Sequence, residues 1–209
     1  MSFPHISEDL KSVSVRIGGM CFTAEAVLRL CIDGFIGHKA ELIGGAQERT
    51  VSLNEEGNQL RKLLRDKATE RTGNKEQIKY LLATLSSVRL ALNGLDSLSR
   101  HVKFKIDEKI ILSDKGFDEI RYLFHASLDI LKSAGDTIAN RKESFMKYVM
   151  DKCANLEILA RQYAERHEER LITGICLPDA SPVYVCIVDS VLTVVWHIKN
   201  AVTRLFGKW

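Results

Sequence analysis

The sequence has little proline, few aromatic residues and no clustered cysteines. Three prolines and 7% aromatics speak against a sandwich or barrel built from many turns. The five cysteines, Cys21, Cys31, Cys153, Cys176 and Cys186, contain no C-x-x-C pair. Their odd number and scatter read as free thiols in a reducing cytoplasm, each acting as a small apolar residue. The opening MSFPHISEDLK has no basic region followed by an apolar run, so no secretion leader is expected. A net charge of only +3 gives no reason to expect nucleic acid as a partner. A Gly-rich phosphate loop, an H-E-x-x-H pair and a nucleophile elbow are all missing. Gly18-Gly19 and Gly44-Gly45 are too isolated to cradle phosphate. The chain is read as non-enzymatic, with no catalytic residue.

What is present is helix. Apolar residues make up 45% of the 209 positions, enough for a substantial core. They recur at the helical period over 23–43, 46–68, 75–107, 118–134, 141–173 and 182–206. Gly44-Gly45 interrupts the first pair and Gly135-Asp136 weakens the fourth pattern. Asn74 with Gln77, and Asn140 with Glu143, have the spacing of capping boxes. The Ser181-Pro182 pair reads as an N-cap followed by proline at the first helical position.

The last helix begins in the run VYVCIVDSVLTVVWHIKN. It is shorter than a membrane span needs and carries Asp189 near its middle, so it is read as a buried helix. A buried Asp189 needs a partner, either an Arg or Lys or a hydroxyl or backbone N–H; a place in a surface groove is the alternative. The charged run from Glu165 to Arg170 reads as solvated surface with i,i+4 pairing.

Three helices, a connection at 110–116 and three more helices predict an all-α fold of two tandem three-helix bundles packed side by side. The bundles are expected over 20–109 and 114–207. Ser99-Arg100-His101-Val102 and Val195-Trp196-His197-Ile198 stand at equivalent places in the two halves.

The stretch HEERLITGICLPDASPVYVCIVDSVLTVVWHIKNAV resembles the last repeat of the PhoU family, especially versions accompanying sodium–phosphate cotransporters. The matching positions are His167-x-x-Arg170-Leu171-x-x-Gly174, Cys176, Pro178 and His197-x-x-Asn200. Trp196 stands where the family has Asp. The resemblance implies a cytoplasmic accessory or regulatory protein of phosphate transport and phosphate signalling, working through protein contacts. The partner it implies is a phosphate transporter or an associated signalling protein, with the chain peripheral at the membrane. The basic positions Arg61, Lys62, Arg65 and Lys67 are a candidate contact surface, and equally an ordinary helix face.

Some members of that family hold iron or zinc through acids spaced i,i+4 on the third helix of each repeat. Here the first pair is Asp96 and Arg100, and the second is Leu192 and Trp196. Arg100 cannot ligate and is expected to pair with Asp96. The remaining metal candidates are Asp96, His101 and His197, with the two histidines also read as structural. His125 with Asp129, and His167 at a helix end, are further weak cation candidates. His167, Arg170, Asp189 and Asn200 are singled out as residues of other roles. The expectation is no cofactor, with iron or zinc as the alternative in a divergent scaffold acting in another pathway. A scaffold that only self-associates, as a homodimer, is the third reading.

Overall fold

The computed structural model describes residues 8–69 and 75–207. The helices are α1 (Glu8–Gly37), α2 (Ala40–Thr69), α3 (Lys75–Asp107), α4 (Asp114–Asn140), α5 (Glu143–Ile172) and α6 (Ser181–Leu205), with one 3₁₀ turn at Pro178–Ala180. Consecutive helices run in opposite directions. The α1–α2, α3–α4 and α5–α6 connections therefore gather at one end of the molecule.

Helices α1, α2 and α3 pack on one another, as do α4, α5 and α6. The two bundles meet along α3 with α6, the largest interface in the molecule, and along α1 with α4. Buried side chains from all six helices form one continuous apolar core. Phe35 on α1 shows the join: it stacks on Phe117 of α4 at 4.9 Å and meets Phe124 edge-on at 5.4 Å. The buried Lys105 of α3 places its ammonium 5.1 Å from the centre of the Phe35 ring. Polar ties also cross between bundles: Ser14 donates to Ile138 O at 2.7 Å, and Arg204 donates to Ser87 Oγ at 3.1 Å.

Several helix ends differ from the sequence reading. Helix α1 starts at Glu8, well before residue 23, and stops at Gly37. Leu10, Val13, Ile17 and Cys21 carry its buried stripe through Gly18-Gly19. Gly18 lies against α4, where a Cβ would sit 2.7 Å from Gly135 O and 2.9 Å from the Ala139 Cβ. The missing side chain is what lets the two helices cross so closely. Gly135 does not weaken α4, because the Phe22 ring packs where its Cβ would be.

The break between α1 and α2 falls at His38-Lys39, and Gly44-Gly45 stays helical within α2. His38, Lys109 and Arg141 take φ values of 53°, 51° and 53°, ending three helices in a left-handed residue that is not glycine. Asn140 is accordingly the last residue of α4 and caps nothing; its amide donates back to Asp136 O at 3.0 Å. Asn74 lies outside the described residues. The bounds of α3 match the sequence expectation.

Candidate functional site

Helices α3 and α6 cross antiparallel, with Gly94 against Val194 at the crossing. This brings His101 and His197, one from each half, to the walls of a single groove of about 350 Å³. Asp96, near the same face, accepts a hydrogen bond from Arg100, which ties it down one turn away. Burial, then the neighbouring Arg100, pushes His101 below its ordinary pKa; burial, then Arg204, does the same to His197. The neighbouring guanidinium charges disfavour a cation at either ring. Among the described residues no three His, Cys, Asp or Glu side chains come together as a metal would require. The donor set of a multinuclear centre does not assemble on this face.

Asp189 is exposed and needs no buried partner, contrary to the expectation from the apolar run. Helix α6 is buried against three helices, but Val185, Asp189, Thr193 and Trp196 fall on one side of its 3.6-residue period and face out. Asp189 forms part of the wall of the α3–α6 groove and also of a wider α5–α6 groove of about 700 Å³. In the wider groove Leu192 and Trp196 occupy the places where the family pattern would put acids. Trp196 is 54% exposed and meets His197 edge-on at 4.7 Å. Lys199 bridges to Glu157 at 3.1 Å beside them, and Asn200 is half-buried. Pro178–Leu205 is long and apolar enough to cross a membrane by composition alone; here it is the helix against which α3, α4 and α5 pack.

The second cluster contains His167 and Arg170, which are not solvated surface. Arg170 reaches from α5 to α4 and grips Glu119 with two parallel bonds, Nη1 to Oε1 at 2.9 Å and Nη2 to Oε2 at 2.6 Å. The Tyr184 hydroxyl of α6 donates to the same carboxylate at 2.7 Å. His167 stacks on the Tyr184 ring, centroids 4.1 Å apart, and its Nε2 shares a 2.8 Å hydrogen bond with Ser181 Oγ. Ser181 is therefore the first residue of α6, its hydroxyl occupied by His167 and unavailable as a cap.

This clasp joins all three helices of the second bundle at their loop end. The α5–α6 loop folds against it. Ile175 and Cys176 N–H donate to Arg170 O, and Cys176 Sγ lies 3.3 Å from Ser113 Oγ at the head of α4. Burial would lower the Arg170 pKa, but the carboxylate it grips holds it above the ordinary value. Burial, then the Glu119 carboxylate, drives Tyr184 upward.

His167 is buried, and its Nδ1 has no hydrogen-bond partner among the described residues. Burial, then the nearby Arg170 charge, lowers its pKa. The unfolded chain thus takes up this proton at a higher pH than the folded one. His167 stabilises the fold fully above its ordinary value of about 6.5, and that contribution is lost as pH falls below it. His101 and His197 act in the same direction. Denaturant midpoints measured from pH 8 down to pH 5 should fall on the acid side, and His167→Gln should remove part of that slope.

The remaining candidates do not form a site. His125 is exposed, while Asp129 accepts from Tyr148 at 2.8 Å and pairs with Lys152 at 3.3 Å, both on α5. Burial pushes the thiols of Cys21, Cys31 and Cys153 up to about 12, which disfavours their thiolate forms.

No family model and no curated protein sequence matches this chain. Solved structures do. The crystal structure of PhoU from Pseudomonas aeruginosa superposes with a TM-score of 0.76, covering 95% of this chain and 94% of that one at 13% identity. The phosphate transport system regulatory protein PhoU from Streptococcus pneumoniae gives 0.77, with coverage of 94% and 91% at 11% identity. The fold is PhoU-like. Within this PhoU-like bundle the His167–Arg170 motif serves to lock the loop end. Glu119 and Tyr184 complete the lock and were missed. Glu119 lies one turn before Leu123 on the buried face of α4, and an acid in such a place calls for a cation.

Proposed function

We propose that this protein is an accessory or regulatory protein of phosphate transport, cytoplasmic and non-catalytic, acting by protein contact. The observation that supports this is the whole-chain PhoU-like architecture, which covers more than nine-tenths of each of the two solved PhoU chains. One of these is described as a phosphate transport system regulatory protein. Pull-down from native host cells with an intact envelope should recover a phosphate transporter or an associated signalling component. Recovery of neither would defeat the proposal. The protein is proposed to act without a resident metal, because Arg100, Leu192 and Trp196 replace the acids a cluster needs. Elemental analysis of purified protein should find iron and zinc well below one per chain, and a stoichiometric metal would contradict this.

A further inference from the structure

The four most exposed large apolar side chains among the described residues are Ile172 (86%), Ile111 (75%), Ile175 (65%) and Leu177 (61%). Ile172 ends α5, Ile175 and Leu177 follow in the α5–α6 loop, and Ile111 lies in the α3–α4 connection, which the Ser113–Cys176 contact sets beside that loop. The left-handed turn at Gly174 (φ 74°) and the Ile175 and Cys176 N–H bonds to Arg170 O tie the loop carrying two of them to the clasp, next to Ile172 at the end of α5. An apolar patch of this kind marks an interaction surface.

The charges around it decide what fits. Between 108 and 115 and between 168 and 179 the exposed carboxylates are Glu108, Asp114, Glu168, Glu169 and Asp179, against Lys109 and Lys115. Arg170 is already neutralised by Glu119. The collar is acidic. An anionic bilayer would repel it, and a two-fold contact with a second copy would set acids against acids.

We infer that this loop end docks on a Lys/Arg-rich, apolar-centred cytoplasmic segment of an integral membrane protein. Such segments carry an excess of basic residues. The apolar centre and acidic collar call for a basic segment by themselves; that this segment belongs to an integral membrane protein rests on the transport-regulator reading.

The test is p-benzoyl-phenylalanine placed at position 175 of the full chain in native host cells, with irradiation and mass-spectrometric mapping of the adduct. The expected adduct is with a basic cytoplasmic segment of an integral membrane protein. Glu168→Lys with Glu169→Lys should cut its yield about tenfold while leaving the far-UV circular dichroism unchanged. An adduct with phospholipid, with a second copy, or with a soluble or acidic segment would overturn the inference. So would no adduct, or a yield indifferent to the charge reversal. If the membrane protein is not a phosphate transporter or its signalling partner, the docking surface stands and the proposed function fails.

Discussion

Arg170→Ala should destabilise the protein by about 3–5 kcal/mol, one of the two largest single-residue effects expected here. Removing the guanidinium leaves the Glu119 carboxylate, whose side chain is only 10% exposed, with the Tyr184 hydroxyl as its remaining donor. A buried carboxylate without a cation costs far more than the net worth of the pair. The pair itself is worth little against an apolar replacement, so the double variant Arg170→Met with Glu119→Leu should recover most of the loss. Urea midpoints of the single and double variants measure both effects. If the single variant proved neutral, the clasp would be ornamental.

Gly94→Leu should cost on the order of 3 kcal/mol for the opposite reason, an excess of atoms. A Cβ at this position would stand 2.9 Å from Val194 Cγ2 and 3.2 Å from the Val194 backbone nitrogen. The methyl can rotate away, but the backbone nitrogen cannot, so α3 and α6 must separate along the largest interface in the fold. Gly19→Ala is the matched control, because nothing lies within 4 Å of a Cβ there. It should be neutral or slightly stabilising, since alanine is the better helix former. Thermal denaturation of the two variants separates packing from helix propensity.

Much of the fold was legible because helical periodicity is local. Helix α3 was read with the right ends because a long stripe from Ile78 to Val102 has no competing signal within it. Helix α1 was read from residue 23 and so cut short, although its buried stripe runs back through Gly18-Gly19 to Leu10. That Gly18 serves as a crossing point depends on α4, more than a hundred residues away. The turn at His38 was invisible for a related reason: glycine is the usual signal for a left-handed stop, and here a histidine takes that conformation.

The same limit applies to the candidate site. The His167–Arg170 spacing was visible, yet its meaning required Glu119, 51 positions away. Asp189 seemed to need a partner because it stands in the middle of an apolar run read as a buried helix; the groove that was the alternative is where it lies. The four residues of that face, Val185, Asp189, Thr193 and Trp196, differ in chemistry but share exposure, and composition cannot reveal that.

The close crossings at Gly18–Gly135 and Gly94–Val194 have a consequence for how such a molecule can signal. They bring the two bundles into backbone-close contact at two separate places, too tight to admit even a Cβ. A clamp that opens and shuts needs a seam that parts, and this one is closed at two places. A body joined in this way is better suited to being seated whole, as a wedge is, than to hinging between its halves.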